Sequence, residues 1–185
     1  MQANVSFYGI VHTSIRQNSV SVKKLPQSNI YGAGAVGIAE LFGDYLEGGS
    51  SPENCIALAL SMHPLAGIAR DAIVKSLSAL GYGPDAATFA TLAPKDPAVE
   101  GGDVVLDEQA VFMLVEGLDP LLVIIADEPT SHLVGRAYRC SVAPDSADRV
   151  FGRPTVVFRD LEPMLSTDSG KQHAWKLFKS FPKRT

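Results

Sequence analysis

Long hydrophobic runs and secretory features are missing from this sequence, and each absence excludes a class of protein. No uninterrupted apolar run exceeds six residues, as in Leu121–Ala126, whereas a membrane-spanning helix needs about 20. The N-terminus lacks the basic region and the long apolar stretch of a secretory signal. These absences predict a soluble, cytoplasmic protein that makes no membrane contact.

Cysteine is equally scarce. The chain has two, Cys55 and Cys140, which are too few for a disulfide framework or a four-thiolate metal site. We therefore expect both to be free thiols. The four histidines show neither an H-E-x-x-H spacing nor a mixed cysteine and histidine spacing. The sequence thus predicts no metal and no other cofactor.

The chain also lacks an excess of positive charge. Its net charge of −4 argues against a protein that coats nucleic acid through its overall charge. A local basic patch is present near the C-terminus, formed by Lys171, Lys176, Lys179 and Lys183. Such a face is usually only solvated, but it is also where a nucleic-acid backbone could be met. The patch predicts at most a weak, salt-sensitive contact with nucleic acid, and the sequence does not identify a partner.

Length and composition are those of a single folded domain over residues 1–185. Apolar residues make up 46% and charged residues 19%, so the chain can bury a core and does not resemble a disordered protein. Apolar and polar residues alternate from Val5 to Val22, a period typical of strands, and Pro26 ends this segment. We expect residues 1–32 to form an N-terminal β-ribbon, followed by a helix over about 33–46.

From residue 55 onward, short apolar runs alternate with amphipathic helical segments. The predicted strands are Cys55–Leu60, Thr88–Leu92, Leu121–Ala126 and, after a polar loop, Pro154–Phe158. The predicted helices span about 67–80, 107–116, 129–138 and 170–181. On the last helix, Ala174, Trp175, Phe178 and Phe181 are expected to be buried. This alternation predicts an α/β core over 55–181, a three-layer α/β/α sandwich with a central, mostly parallel sheet.

Ligands in such folds bind at the carboxyl ends of the parallel strands, so residues that follow a strand are candidates. His63 follows the first strand and is either a loop residue bonded to backbone or a catalytic base. Asp127 and Glu128 follow the strongest strand. They either begin a helix, with Pro129 at its first position, or form a functional carboxylate pair.

Gly32, Gly34 and Gly37 form a literal G-x-G-x-x-G pattern. A dinucleotide site needs a buried strand directly before the glycines, and residues 26–31 make a poor one. We interpret the glycines as a flexible helix start, and a nucleotide-cofactor enzyme is the least favoured function. No serine lies in a G-x-S-x-G elbow, so a hydrolase triad has no support.

Three stretches follow the motif order of a known family. Residues 64–81, PLAGIARDAIVKSLSALG, look like a P-F-x-G-x-A-G helix segment. Residues 107–135, DEQAVFMLVEGLDPLLVIIADEPTSHLVG, are similar to a helix, an x-x-P-x-x-I-V-x-L-G strand and an A-x-x-L-L-G helix. Residues 156–181, VVFRDLEPMLSTDSGKQHAWKLFKSF, resemble a strand ending in T-x-H-P-S/A followed by K-x-x-A-W. Together these stretches resemble the uracil-DNA glycosylase superfamily, most closely its iron–sulfur family 4 type, and imply that fold for residues 55–181.

The family's catalytic positions hold other residue types here. The resemblance implies a pocket formed by Ser61, Met62, His63, Leu65, Leu92 and Glu162. The loop that places the attacking water is absent, because the first strand leads through His63 straight into Pro64. Leu65 replaces the base-stacking aromatic, Leu92 falls near the uracil-reading asparagine, and Glu162 replaces the histidine that stabilises the departing base. The cysteines that would hold the cluster are missing too.

A carboxylate at the histidine position would repel a developing uracil anion. The departures therefore imply a glycosylase-like protein that has lost uracil excision and binds a nucleotide, a nucleic acid or a protein without catalysis. The alternative is an active DNA base glycosylase or related hydrolase in which His63, Asp127 or Glu162 has taken over catalysis. Both fit the sequence, which does not decide whether the chain is an enzyme.

Overall fold

The structure, a computed structural model, describes residues 35–47, 55–93 and 105–184. Its helices are α1 (Ala35–Phe42), α2 (Gly67–Ala79), α3 (Glu108–Leu118), α4 (Glu128–Tyr138), α5 (Leu161–Met164) and α6 (Asp168–Phe178). Its strands are β1 (Leu46–Glu47), β2 (Ala57–Ser61), β3 (Ala87–Thr91), β4 (Leu122–Ile125), β5 (Ser146–Val150) and β6 (Arg153–Val157). Among the described residues, no helix is long and apolar enough to cross a membrane.

The described strands form one mixed sheet of six strands in the order β1-β3-β2-β4-β6-β5. The four inner strands are parallel, and β1 and β5 run antiparallel at the edges. In the middle of the sheet, Ala59 of β2 lies opposite Phe89 of β3 and Ile124 of β4. The predicted α/β class and the parallel pairing of the four predicted strands are therefore confirmed.

Helices cover both faces of this sheet, which makes three layers. Alternating side chains of one strand enter different cores: Ala57 and Ala59 of β2 face one, and Leu58 and Leu60 face the other. Helices α2 and α6 close the first core, whereas α1, α3 and α4 close the second. Burial on both faces explains why β2 and β4 are apolar except for Ser61 at the end of β2.

The polar loop expected before the last strand is instead the edge strand β5. It pairs with β6 through a two-residue turn at Phe151 and Gly152, whose φ angles are 49° and 84°. Two successive positive φ values suit the twist of a tight hairpin. Asp148 and Arg149 are exposed on this edge. A polar edge strand carries no hydrophobic period by which a sequence pattern could identify it.

Of the four residues predicted to be buried at the last helix, Ala174, Phe178 and Phe181 are buried and Trp175 is not. The helix ends at Phe178 rather than Phe181, and these two rings are 1% and 3% exposed. Trp175 is 38% exposed, so the prediction of a buried tryptophan is wrong. Ala174 and Phe178, one turn apart, face the core. Because neighbouring positions on a helix point in different directions, the indole lies toward the side of α6.

Several predictions concern residues outside the described part of the chain. The N-terminal β-ribbon over residues 1–32 lies there, as do Gly32 and Gly34. Gly37, the last glycine of the G-x-G-x-x-G pattern, lies within α1.

The two cysteines are unlinked in the structure. Cys55 is buried in the second core and Cys140 is exposed. Burial raises the pKa of the Cys55 thiol. The side chain therefore stays neutral and packs as a small apolar group.

Candidate functional site

The crevice best suited to a ligand in this fold lies between the carboxyl ends of β2 and β4. Helix α2 follows β2 on one face of the sheet, and α4 follows β4 on the other. Connections that leave in opposite directions open a crevice at this switch point, where α/β proteins bind ligands. His63 lies in the turn after β2, and Asp127 comes just after β4. The crevice therefore coincides with two of the predicted site residues.

Asp127 uses both carboxylate oxygens to close this crevice. Its Oδ1 accepts a hydrogen bond from the Thr130 N–H at 2.8 Å, as the N-cap of α4. Its Oδ2 accepts one from the Met62 N–H at 2.7 Å. The first bond satisfies a free N–H at the helix start, and the second ties the turn after β2 to α4. The geometry, with Pro129 in the first turn, is that of a helix start.

Glu128, the other acid of the expected pair, contacts Arg159 and His132 at the surface. Its Oε2 lies 3.0 Å from Arg159 Nη1, and its Oε1 lies 3.8 Å from His132 Nε2, one turn along α4. These side chains are largely exposed, and ion pairs of this kind contribute little to stability. Asp127 and Glu128 thus bind different partners.

The turn after β2 is held by its own first residue. Ser61 is buried, and its hydroxyl donates to the His63 carbonyl at 2.7 Å, while the His63 side chain is exposed. Leu65 is half-buried against the first core, and Leu92 is fully buried in the second. The structure therefore brings Ser61, Met62 and His63 together at the crevice and places the two leucines in separate cores.

Glu162 caps the N-terminus of α2. It lies in the first turn of α5, and its Oε1 accepts a hydrogen bond from the Ala66 N–H at 2.5 Å. Ala66 is the N-cap of α2 and has no side-chain oxygen. Glu162 therefore supplies the negative group that a helix N-terminus favours. At this position the resemblance implies a histidine that stabilises the departing base. Here the position holds the Glu162 carboxylate, which accepts a hydrogen bond from the Ala66 N–H.

Asp160 is a third carboxylate at this end of the sheet, and no sequence motif singles it out. The backbone of Asp160 pairs with the backbone of Asp127 in an isolated antiparallel β-bridge. Partial burial, and then the charges of Asp127 and Glu162, raise the pKa of the Asp160 carboxyl. Asp160 lies three residues past the end of β6, so it belongs to the strand-end residues that the predicted topology makes candidates. Within the described ranges, no three carboxylates, histidines or cysteines are arranged to hold a metal ion.

Beside the crevice lies a cleft of about 550 Å³ between the N-termini of α3 and α4. Its apolar walls include Met62, Leu106, Pro129 and Leu133. Glu108 and Arg136 form an ion pair at 2.8 Å on its rim. A concave apolar surface with a few polar groups is the usual form of a small-molecule site. Sequence patterns predict only Met62 of this lining, because a cleft between two helices leaves no linear motif.

The four lysines predicted to meet nucleic acid are all exposed, on α6 and the segment behind it. We call Lys171, Lys176, Lys179 and Lys183 the α6 lysine patch. Lys171 pairs with Asp168 at 3.0 Å, and the Lys179 ammonium lies 5.9 Å from the centroid of the Trp175 ring. In the part of the chain that the structure describes, no carboxylate lies within ion-pair distance of the other three lysines.

The strand-end carboxylates and the α6 lysine patch are thus two surfaces of opposite charge in the described residues. No family model matches this chain, and no curated protein matches it significantly.

Proposed function

We propose that this chain is a uracil-DNA-glycosylase-like protein that does not excise uracil and that contacts nucleic acid weakly through the α6 lysine patch. The observation that carries the first part is that Asp127 and Glu162 accept hydrogen bonds from backbone N–H groups at the strand ends. The second part rests on the distribution of charge between the C-terminal segment and the rest of the chain.

Excision of a base requires a pocket that encloses it and donors that stabilise the base as it leaves with negative charge. At this end of the sheet, the Met62 N–H donates to Asp127 and the Ala66 N–H donates to Glu162. Two backbone N–H groups thus already donate to carboxylates of the protein itself. Asp160, whose backbone is bridged to that of Asp127, adds a third acidic side chain at the same end of the sheet. A departing uracil anion would meet repulsion where catalysis needs stabilisation.

Charge is divided unevenly along the chain. Residues 168–184 contain five basic residues and one acidic residue, a net charge of +4, whereas the whole chain carries −4. The remainder therefore carries −8. A phosphate backbone is repelled by most of the protein and attracted to this segment. Contact through a few lysines gives the weak, salt-dependent binding expected from counterion release.

The protein should release no uracil from DNA above background. Loss of one preorganised donor typically lowers a rate by about 10²–10³, and several catalytic positions of the family hold other residue types here. Leu65 cannot stack as an aromatic does, and Glu162 cannot stabilise an anion. A single-turnover assay on uracil-containing single and double strands measures this, with the wild type and His63→Ala in parallel.

His63→Ala is included because an exposed imidazole at the crevice is the group best suited to act as a substitute base near neutral pH. No cleavage by either protein supports the proposal. Cleavage by the wild type that disappears in His63→Ala would identify an active glycosylase and its catalyst.

A hydrolase acting at the same strand ends is the second candidate, and it is favoured by the position of Asp160 beside Asp127 at these ends, together with the raised pKa of the Asp160 carboxyl. A carboxyl that keeps its proton to higher pH is suited to general acid catalysis. Asp160→Asn preserves the shape of the side chain and removes the titration. Release of a damaged base other than uracil by the wild type, lost in this variant, would favour the hydrolase.

Nucleic-acid binding should fall steeply with salt and depend on the α6 lysine patch. If about four phosphates are neutralised, the affinity for a single strand should fall roughly 50-fold between about 50 and 200 mM salt. The triple variant Lys176→Gln/Lys179→Gln/Lys183→Gln should lose most of the affinity and most of its salt dependence. Fluorescence anisotropy of labelled single strands and duplexes measures both.

The matched control removes the same number of exposed cations from α4, its C-cap and β5, as Arg136→Gln/Arg139→Gln/Arg149→Gln. It should bind nearly as well as the wild type, because separated surface charges are screened from one another by salt. Equal losses in the two triple variants, or tight binding that survives at high salt, would contradict the proposed contact.

A further inference from the structure

We propose that the groove between α2 and α6 binds an unpaired base of single-stranded nucleic acid, which stacks on Trp175. This inference rests on the proposed nucleic-acid contact. To that contact it adds a preference for single-stranded nucleic acid and assigns this preference to Trp175.

The groove has a volume of about 370 Å³ and is mainly apolar. Its α2 wall includes Ile68 and Ala72, and its α6 wall includes Ala174, Trp175 and Phe178. Ile68 is 73% exposed and Trp175 is 38% exposed. Exposed large side chains that line the same groove mark a contact surface more often than scattered ones do.

The Trp175 indole is not required to fill the core beneath α6. Ala174 and Phe178 occupy that space, and the Phe178 ring packs 5.2 Å from the ring of Phe158. The indole therefore offers part of its π surface to the groove. Every base has a π face that stacks on such a surface, and this contact is the main source of affinity in sequence-tolerant single-strand binding.

Cations flank the indole along the helix. Lys171 lies one turn before Trp175, and Lys179 lies one turn after it, with Nζ 5.9 Å from the ring centroid. The Lys171–Asp168 pair is exposed, so its ammonium exchanges readily from the carboxylate to a phosphate. An entering base displaces Lys179 from the ring toward the neighbouring phosphate. The ring and the cations then bind different parts of the same strand.

The combination of π surface and cations favours an unpaired nucleotide over other occupants. The groove's own acid, Asp71, is paired with Lys75 at 3.4 Å. A neutral apolar peptide would gain nothing from the lysines, and an acidic peptide gains from the lysines alone. In a duplex each base is already stacked and paired, so an indole fixed on a helix cannot reach its face without unstacking it.

Trp175 is the only tryptophan in the chain, so its fluorescence reports stacking directly. A short oligo-dT at low salt should quench this fluorescence saturably, whereas a hairpin duplex should bind without quenching it. By anisotropy of a labelled strand, Trp175→Leu should weaken oligo-dT binding about 5- to 150-fold and leave duplex binding unchanged. Trp175→Phe keeps an aromatic ring and should recover most of the loss, and thermal melting checks that both variants fold.

Failure of this inference is distinguishable from failure of the proposed function. Suppose that the lysine triple variant no longer binds oligo-dT or duplex, while Trp175→Leu still binds both as the wild type does. The α6 lysine patch then binds phosphate and the groove binds no base. If neither nucleic acid binds the wild type at low salt, the proposed contact and this inference both fail. Polyglutamate that quenches Trp175 as strongly as oligo-dT, or a dimer abolished by Trp175→Leu, would assign the groove to an acidic peptide or a second copy.

Discussion

Replacing Phe178 with alanine should lower the free energy of unfolding by about 3–5 kcal/mol, as truncation of a buried phenylalanine does. Phe178 is 1% exposed, and the centroid of its ring lies 5.2 Å from that of Phe158 and 6.4 Å from that of Phe181. Truncation leaves a cavity where α6 meets the sheet. Denaturant unfolding followed by circular dichroism measures the loss, which should shift the midpoint with little change in slope.

The matched control is Trp175→Ala, three positions earlier on the same helix. It removes a larger aromatic side chain, but one that is 38% exposed, so less apolar surface returns to water than for a buried residue. We expect roughly half the cost of Phe178→Ala. Equal costs would mean that Trp175 belongs to the core, and the stacking proposal would then lose its basis.

Removing the Glu116 carboxylate should destabilise the protein by about 3 kcal/mol, at the lower end of the effects seen for broken buried ion pairs. Glu116 accepts from Arg153 Nη1 at 2.8 Å, from its Nη2 at 3.1 Å and from the Tyr138 hydroxyl at 2.6 Å. The Arg153 and Glu116 side chains are 14% and 10% exposed. Glu116→Ala therefore leaves the Tyr138 phenol without its acceptor and leaves the Arg153 guanidinium with only the exposed Asp119 carboxylate.

The Tyr138 hydroxyl remains a donor throughout the neutral range. Burial, followed by the hydrogen bond to Glu116, raises the pKa of Tyr138, so the phenol keeps its proton. The expected loss for Glu116→Ala should accordingly be constant around neutral pH. Denaturant unfolding at several pH values measures it.

Asp119→Asn is the control for the Glu116 network, because Asp119 lies 2.8 Å from the same guanidinium but its side chain is 83% exposed. Asp119→Asn should lower the free energy of unfolding by no more than about 0.5 kcal/mol. The double variant Glu116→Leu/Arg153→Leu should be less destabilised than Glu116→Ala, since it leaves no uncompensated charge. A cost below about 1 kcal/mol for Glu116→Ala would mean that water already shields this network.

Short-range patterns are sufficient to predict the inner part of the fold. The strands Ala57–Ser61 and Leu122–Ile125 are buried on both faces, so their sequences are apolar except for the terminal Ser61. The helix over Gly67–Ala79 follows from one apolar stripe, formed by Ala69, Ile73 and Leu77. Both patterns depend on residues a few positions apart. The edge strand Ser146–Val150 escaped prediction because its exposed residues carry no such period.

The sequence predicts where the candidate site lies, but it does not predict which hydrogen bonds the residues of the site form. Parallel topology brings His63, Asp127 and Glu162 to one end of the sheet, and their places after strands are visible in the sequence. Their partners are not visible. Asp127 bonds to Met62 across 65 residues, and Glu162 bonds to Ala66 across 96. No pattern of spacing links residues so far apart.

By itself, the sequence determined the parallel α/β core and the basic C-terminal segment, because both follow from residue types at short spacing. Only the tertiary structure decided that Asp127 and Glu162 bind the backbone N–H groups of Met62 and Ala66 and that Trp175 lies in an open groove. The physical reason is that a helix or a strand end offers several side chains at once. Which of them is buried, bonded or left to solvent depends on the distant elements that fill the space around it.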